Sequence, residues 1–161
     1  MNEADRLLLP YRPNVGLMIV NPQGRIFAGR RIDYPDAWQM PQGGIDEGED
    51  PLQAAYRELY EETGIVRDAV NLLAESRDWH TYDFPPEVAG KLWKGGYRGQ
   101  KQRWYLMGFE GDDAQINIAT EHPEFDIWRW MEPPELIERI VPFKRDIYRA
   151  VMREFLDSGS G

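Results

Sequence analysis

The 161-residue sequence contains no cysteine and only two histidines, His80 and His122. The absence of cysteine excludes disulfides, zinc–thiolate centres and cysteine nucleophiles. Two isolated histidines are more typical of surface or structural positions than of ligands, so neither is a candidate here. Metal binding by thiolates and catalysis by a thiol are therefore ruled out.

Long apolar runs are also missing. No stretch of the sequence approaches the roughly 20 apolar residues that a membrane-spanning helix needs. The opening MNEADRLLLP has no basic segment followed by a long apolar core, which a signal peptide would show. We therefore expect a cytoplasmic protein with no membrane partner.

Positive charge is scarce: 19 lysines and arginines face 28 aspartates and glutamates, for a formal net charge of −9. This balance argues against an extended nucleic-acid-binding surface, which is usually basic. It does not exclude nucleotides as substrates. The basic residues are locally grouped, and each group alone is typical of a solvated surface. The groups are Arg30 and Arg31, then Arg98, Lys101 and Arg103, then Lys144 and Arg145.

The composition is that of a globular protein, with 42% hydrophobic and 29% charged residues. A chain of this length is expected to form one domain with a substantial core. Apolar periodicity and turn residues predict a mixed α/β fold. The predicted strands are 15–20, 25–29, 38–40, 72–76, 79–84, 102–109 and 128–131, and the predicted helices are 51–63, 134–140 and 144–156.

The segment 43–65, GGIDEGEDPLQAAYRELYEETGI, carries the strongest functional signal. Helical geometry places Glu58, Glu61 and Glu62 on one face as an i, i+3, i+4 set. Three like charges this close repel one another, and hard divalent cations such as Mg²⁺ and Mn²⁺ bind carboxylate oxygens. The pattern therefore predicts a metal-dependent active site.

The same segment carries signals for a well-defined helix. Asp50 is suited to the N-cap, Pro51 to the first helical position, and Gly64 to a left-handed helix end. Arg57 is placed to pair with Glu61 one turn later. The predicted buried stripe consists of Leu52, Ala55, Tyr56, Leu59 and Thr63.

Segment 43–65 resembles the signature of the Nudix hydrolases, G-x5-E-x7-R-E-U-x-E-E-x-G-U, in which U is a bulky aliphatic residue. Every specified position matches, and from average residue usage the chance of this at a given start is on the order of 10⁻⁹ to 10⁻¹⁰. The alternative of a solvated acidic helix is therefore weak, and an EF-hand fails because its ligand spacing is absent. The resemblance implies a Nudix-fold α/β/α sandwich with a mixed sheet, as a single domain over 1–161. We expect residues 157–161 to form a flexible tail.

Further motifs extend the resemblance over nearly the full length. They are similar to bacterial RNA pyrophosphohydrolases and to the related dinucleoside polyphosphate hydrolases, and WHTYDFPPEV (79–88) is especially similar to the dinucleoside branch. The other motifs are YRPNVG (11–16), AWQMPQGGIDEGE (37–49), GQKQRWYL (99–106), PEFDIWRW (123–130) and VPFKRDIY (141–148).

The resemblance implies roles for particular residues. Metal binding is assigned to the carbonyl of Gly43 and to Glu58, Glu61 and Glu62, with Mg²⁺, Mn²⁺ or another divalent cation as the cofactor. Glu124 is the candidate for a further metal ligand or a base, against the alternative of a surface carboxylate. Which carboxylate deprotonates water stays open. The expected catalytic set is Glu58, Glu61, Glu62, Glu124 and Arg57.

Cationic and aromatic side chains complete the candidate site. Phosphate contacts are expected from Arg12, Gln100, Lys101, Arg103 and Lys144. Arg30 or Arg31 is expected to sandwich a base together with Phe143, for which core packing is an equally weighted alternative. The glycine-rich excursion 85–99 is a candidate lid, and its Trp93 is a candidate ligand contact.

Two functions are compatible with these features. The first is a metal-dependent pyrophosphohydrolase that acts on 5′-triphosphorylated RNA, on dinucleoside polyphosphates such as diadenosine tetraphosphate, or on both. The second is a nucleotide-sensing Nudix domain that binds without turnover. The intact carboxylate set favours the enzyme.

Overall fold

The computed structural model describes residues 3–157. Eight strands form one mixed sheet, whose central path pairs the strands in the order β3-β2-β1-β7-β5. β4 pairs with β1, β6 with β7, and β8 with β2. The strands are β1 (Tyr11–Val20), β2 (Ile26–Arg31), β3 (Trp38–Gln39), β4 (Gln42–Gly44), β5 (Val70–Glu75), β6 (His80–Asp83), β7 (Gly99–Phe109) and β8 (Phe125–Met131).

Among the described residues, five α-helices accompany the sheet, and one π-helical turn, Arg153–Asp157, follows the last of them. No helix among residues 3–157 is long and apolar enough to cross a membrane. Of the expected tail, residues 158–161 lie outside the described residues, and Asp157 ends the π-helical turn. The α-helices are α1 (Glu3–Arg6), α2 (Pro51–Thr63), α3 (Pro86–Ala89), α4 (Pro133–Arg139) and α5 (Arg145–Met152).

Two hydrophobic clusters cover the sheet, one on each side. On one side the buried residues of α2, including Ala55 and Leu59, pack with strand residues such as Leu17. On the other side α4 and α5 pack against strand residues that include Met18 and Trp104. Because successive strand residues point to opposite faces, Leu17 and Met18 belong to different clusters. This arrangement is the predicted α/β/α sandwich with a mixed sheet.

Local sequence signals explain α2. The side chain of Asp50 accepts hydrogen bonds from the backbone N–H groups of Leu52 and Gln53, at 3.1 and 3.3 Å. Gly64 ends the helix with φ of 72°, a left-handed conformation that favours glycine. The helix bounds are as predicted. The buried stripe differs in part, because Ala54 and Glu62 are also buried while Leu52 and Tyr56 are only partly buried.

Long-range pairing shapes the rest of the site. β1 and β7 run parallel over ten residue pairs, from Tyr11 and Gly99 to Val20 and Gly108. The short strand β4, which the sequence patterns did not predict, pairs antiparallel with the first half of β1. This pairing places Gly43 and Gly44, which precede α2, beside Val15 and Asn14 of β1. The expected excursion, 85–99, contains α3 and a 3₁₀ turn, Leu92–Gly95.

Candidate active site

Arg57 organises the carboxylates of α2 and of the preceding loop. Its Nε and Nη2 donate to the two carboxylate oxygens of Glu49, both at 2.9 Å, and Nη2 also donates to the Gly44 carbonyl at 2.8 Å. Its Nη1 donates to Glu58 Oε1 at 2.9 Å and to Glu61 Oε2 at 3.1 Å. The predicted pair between Arg57 and Glu61 is therefore present. Arg57 therefore fixes the position of the loop 44–49 relative to the carboxylates of α2.

The network also explains Glu49, which the sequence identified only as a signature position. The hydrogen bond from Arg57 lowers the pKa of Glu49, and a backbone N–H of Asp46 adds a bond at 3.0 Å. Hydrogen bonds with Glu49 in turn raise the pKa of Arg57. Both groups are therefore charged at neutral pH. Their bidentate pair has the geometry that makes arginine–carboxylate contacts strong.

Glu58 and Glu62 lie in surroundings that disfavour their charges. Burial raises the pKa of Glu58 to about 7, the Arg57 charge opposes this rise, and Glu61 and Glu124 add to it. Glu62 is only 5% exposed. Burial, followed by the charges of Glu58 and Glu124, raises the pKa of Glu62 well above its usual value. The charged forms of Glu58 and Glu62 are thus disfavoured, by burial first and by like-charge repulsion second, and a bound cation would offset both effects.

Residues 3–157 contain no three carboxylate or imidazole groups already gathered at metal-binding spacing. Two of the candidate ligands, Glu58 and Glu61, are paired with Arg57 instead. The donor chemistry nevertheless fits a hard divalent cation, since Glu62 Oε2 is buried without a hydrogen-bond partner in the described chain. A Cβ on Gly43 would lie 2.0 Å from Glu58 Cδ, so glycine leaves space beside that carboxylate.

Two neighbouring clefts meet at these carboxylates. The first, of about 620 Å³, lies over the α2 carboxylates and is closed by residues of the loop 117–124. The second, of about 390 Å³, extends from Glu62 to basic and aromatic side chains. The residues common to both clefts are Gln42, Gly43, Glu62 and Glu124. A ligand that spans both would place its anionic part beside the carboxylates.

Glu124 lies immediately before β8, on the loop that closes the first cleft. It is exposed and lines both clefts. Its charge contributes to the raised pKa values of Glu58 and Glu62, so it is close to both. Ile32 N–H donates to the Glu124 carbonyl at 3.0 Å, so the backbone of Glu124 is anchored beside the end of β2. The first cleft also includes His122, which the sequence analysis had left out.

Five of the expected substrate-binding residues line the second cleft: Arg12, Arg31, Gln100, Phe143 and Lys144. Phe143 is partly buried, and its ring lies 5.8 Å from that of Tyr82. Trp93, from the excursion, also lines this cleft. The sequence analysis therefore located most of the cationic and aromatic wall.

The other three expected residues do not line either cleft. Arg30 forms a bidentate pair with Asp126, at 2.9 and 2.8 Å, while its neighbour Arg31 faces the cleft. Lys101 and Arg103 lie over the ring of Trp79, at 5.0 and 5.8 Å. Since side chains alternate along a strand, Gln100 faces the cleft and Lys101 and Arg103 point to the other face of β7. Arg30, Lys101 and Arg103 therefore lie outside both clefts, and their expected contacts with substrate stay a prediction.

A buried polar network beneath the second cleft was missed. Gln42 Oε1 accepts from Gln102 Nε2 at 3.2 Å and from Lys144 Nζ at 3.3 Å, and Gln102 Nε2 also donates to Asn14 Oδ1 at 2.8 Å. Tyr82 donates to Gln100 Oε1 at 2.7 Å. The sequence contained one signal for this network. Gln100, Gln102 and Trp104 are two residues apart in β7, so their side chains share one face of the strand, and all three are buried.

Lys144 is a buried cation at the floor of the second cleft. Burial lowers the pKa of Lys144 to about 7, and the positive charge of Arg31 lowers it further. The charges of Glu62 and Asp33 oppose this shift. An anion in the cleft would favour the protonated form of Lys144. The floor is therefore better suited to an anionic ligand than to a neutral one.

Comparisons with known proteins agree with this geometry. Residues 10–151 match the model of the NUDIX domain. The chain is 57% identical to an RNA pyrophosphohydrolase of Roseobacter denitrificans over 148 residues, which cover 91% of this chain and 92% of that protein. It is 58% identical to an RNA pyrophosphohydrolase of Novosphingobium aromaticivorans over 152 residues, which cover 92% of this chain and 94% of that protein.

Among solved structures, dihydroneopterin triphosphate pyrophosphohydrolase of E. coli superposes with a TM-score of 0.73. The match covers 92% of this chain and 99% of that one at 21% identity, so the likeness is in the fold. The signature at 43–65, the sandwich around it and the match over residues 10–151 agree. This chain belongs to the Nudix family.

Proposed function

We propose that this protein is a divalent-metal-dependent pyrophosphohydrolase that removes pyrophosphate from the 5′ end of triphosphorylated RNA. One observation carries the proposal: the acidic face of α2 and the cationic, aromatic cleft meet at Gln42, Gly43, Glu62 and Glu124. Such a junction suits a ligand with a polyphosphate at one end and a nucleoside at the other. The names of the relatives support RNA as the carrier of that polyphosphate.

The cationic side chains would bind and orient the polyphosphate. Arg12, Arg31 and Lys144 converge on the second cleft, where Lys144 gains charge when an anion arrives. Phe143 would stack on a base, with Arg31 as the cationic partner. Holding both ends of the substrate in this way aligns the phosphoric anhydride with the carboxylates.

Glu58, Glu61 and Glu62 would hold the cation, with Glu124 and the Gly43 carbonyl as further oxygen donors. A bound Mg²⁺ or Mn²⁺ neutralises phosphate charge and lowers the pKa of water. Glu58 is one candidate base for the water; its pKa of about 7 applies to the metal-free protein, and a bound cation would lower it. Glu124 is the second candidate base, because it lies on the loop that closes the carboxylate cleft. Arg57 contributes by keeping Glu58 and Glu61 in register.

RNA as the substrate implies that the protein works in the cytoplasm. The net charge of −9 supports recognition confined to the 5′ end, because an acidic surface gains little from a long RNA body. Dinucleoside polyphosphates share the same anhydride chemistry. The similarity of residues 79–88 to the dinucleoside branch makes them the alternative substrate.

Product analysis tests the proposal directly. Purified protein is incubated with short 5′-triphosphorylated RNA in Mg²⁺ or in EDTA, and released pyrophosphate and RNA 5′-monophosphate are measured. We expect both products in Mg²⁺ and neither in EDTA. Glu47→Gln neutralises an exposed carboxylate of the loop before α2. It is the matched control for substitutions of the α2 glutamates and should retain activity. Binding of the RNA without product in either Mg²⁺ or Mn²⁺ would instead identify a nucleotide-sensing domain.

A further inference from the structure

The excursion between β6 and β7 builds one wall of the second cleft from a row of aromatic rings. The ring of Trp93 stacks on that of Phe84, with 5.8 Å between centroids and 26° between planes, and meets Tyr97 edge-on at 6.1 Å. Trp93 is nevertheless 43% exposed. Trp93 also lines the second cleft, so hydrophobic packing alone does not account for its position.

The backbone at Trp93 is unusual. Trp93 and Lys94 have φ of 47° and 58°, and residues 3–157 contain no other non-glycine residue with positive φ. Bulky side chains rarely adopt this left-handed conformation. Such residues persist where the surrounding structure determines them, and they occur frequently at functional sites. The turn therefore presents the indole ring in a specific direction.

The ring is directed at Arg12. The guanidinium carbon of Arg12 lies 4.4 Å from the Trp93 ring centroid. On another side the guanidinium approaches Gly44 so closely that a Cβ there would lie 2.3 Å from Arg12 Nη2. Arg12 is thus held between an aromatic ring and the backbone that leads into α2.

Arg12 also differs from other arginines near the cleft. Arg31 is paired with Asp33 at 2.8 Å, and Arg57 with Glu49 at 2.9 Å. Within residues 3–157, the guanidinium of Arg12 has no carboxylate partner and no side-chain hydrogen bond, and it lies against the Trp93 ring and Gly44. Stacking on a ring face leaves the N–H groups along the guanidinium edges available for phosphate oxygens.

We propose that Trp93 is a positioning residue: its ring holds the unpaired guanidinium of Arg12 in the orientation that binds the substrate polyphosphate. This inference rests on the proposed function. Because the ring fixes Arg12 before the substrate arrives, less conformational freedom is lost when phosphate binds. Trp93 therefore influences polyphosphate binding without contacting the phosphates itself.

The competing role for Trp93 is a stacking platform for a nucleobase. The two roles make different demands on the ligand. A platform matters only for ligands that carry a base, whereas a positioned Arg12 matters for any polyphosphate. Inorganic triphosphate, which has no base, separates them.

The experiment is a double-mutant cycle of Trp93→Ala and Arg12→Ala, with Trp93→Phe as the conservative variant. Trp79→Ala is the matched control, because Trp79 also contacts cationic side chains but lies outside both clefts. Two quantities are measured for each protein: the Kd for inorganic triphosphate in EDTA, and kcat/KM for a triphosphorylated RNA dinucleotide in Mg²⁺. Thermal unfolding followed by circular dichroism reports whether each variant is folded.

We expect Trp93→Ala to weaken triphosphate binding and to lower kcat/KM, each by about 2- to 12-fold, the scale of the cost of ordering one long side chain on binding. Trp93→Phe should recover most of both losses, and Trp79→Ala should match the wild type. In the Arg12→Ala background the Trp93 substitution should have no further effect. A loss restricted to the RNA ligand, or multiplicative effects in the double variant, would overturn the inference.

The outcome is distinguishable from failure of the proposed function. If the wild-type protein binds triphosphate but does not turn over RNA, the hydrolase proposal fails while the binding cycle still tests Trp93. If the wild type is active and folded Trp93→Ala retains wild-type affinity and kcat/KM, the positioning role is wrong and the hydrolase proposal stands. Should Trp93→Ala unfold, the same comparisons are made with Trp93→Leu, which keeps an apolar side chain but has no ring face. Wild-type affinity and kcat/KM in folded Trp93→Leu would likewise contradict the inference.

Discussion

Replacing Glu58 by glutamine should stabilise the metal-free protein at alkaline pH. The pKa of Glu58 is raised from 4.5 to about 7, mainly by burial. The folded state then binds more protons than the unfolded state between about pH 4.5 and 7, so stability falls as pH rises through this window. At about 1.4 kcal/mol per pKa unit, the charged form costs about 3 kcal/mol at pH 8. Glutamine keeps the shape of the side chain and removes this cost.

The quantity to measure is the difference in unfolding free energy between Glu58→Gln and wild type, by urea denaturation in EDTA at pH 5 and pH 8. Part of the cost of charging Glu58 is already present at pH 5. The stability advantage of Glu58→Gln over the wild type should therefore increase by about 2–3 kcal/mol between pH 5 and pH 8. Glu47→Gln, at an exposed position, should show no such change. Mg²⁺ should stabilise the wild type at pH 8 more than it stabilises Glu58→Gln. A difference that is independent of pH would refute the argument that the carboxylates of α2 are electrostatically strained.

Three further predictions concern catalysis and recognition. Glu61→Gln should lower turnover on triphosphorylated RNA by at least ~10²-fold while the protein stays folded, and near-normal turnover at saturating Mg²⁺ would remove Glu61 from the mechanism. Phe143→Ala should weaken nucleotide binding by ~1–3 kcal/mol in calorimetry and leave the binding of inorganic triphosphate unchanged. A loss of ~3–5 kcal/mol in the free energy of unfolding would instead indicate that Phe143 is a core residue. The slope of log affinity against log salt should stay nearly constant as the RNA is lengthened, because each added phosphate contact would steepen it by ~0.7. A slope that grows steadily over ten nucleotides would contradict recognition of the 5′ end alone.

Local signals were sufficient to predict the bounds of α2 and one ion pair on its acidic face. Asp50, Pro51 and Gly64 mark the two ends of the helix, and each acts through the backbone of its immediate neighbours. The pairing of Arg57 with Glu61 also follows from spacing within one helix. These features depend little on the rest of the fold, which is why the sequence predicts them well.

The choice of strand face could not be predicted in the same way. Alternation makes Gln100 and Lys101 point to opposite sides of β7, but it does not say which side becomes the cleft. That choice depends on the pairing of β7 with β1 and on the packing of Phe143 and Lys144 near Gln100. Gln100, Lys101 and Arg103 were all expected to contact phosphate, and of these three only Gln100 lines the second cleft.

Non-local contacts also explain why β4 and the burial of Glu62 were not predicted. β4 consists of Gln42, Gly43 and Gly44, which have weak strand propensity, and it forms because β1 offers it a partner. Glu62 was expected on the metal-binding face, and its burial, with only 5% of its surface exposed, was not predicted. Three-dimensional contacts of this kind leave no local pattern in the sequence.

The central claim is that the junction of carboxylates and cations hydrolyses a 5′-polyphosphate on RNA. The most direct measurement is a side-by-side determination of kcat/KM for 5′-triphosphorylated RNA and for diadenosine tetraphosphate, with the same purified protein in Mg²⁺. We predict turnover of both anhydrides, with the higher kcat/KM for the RNA and with RNA 5′-monophosphate as its product. A higher value for diadenosine tetraphosphate would contradict RNA as the preferred substrate, and no turnover of either would contradict the account as a whole.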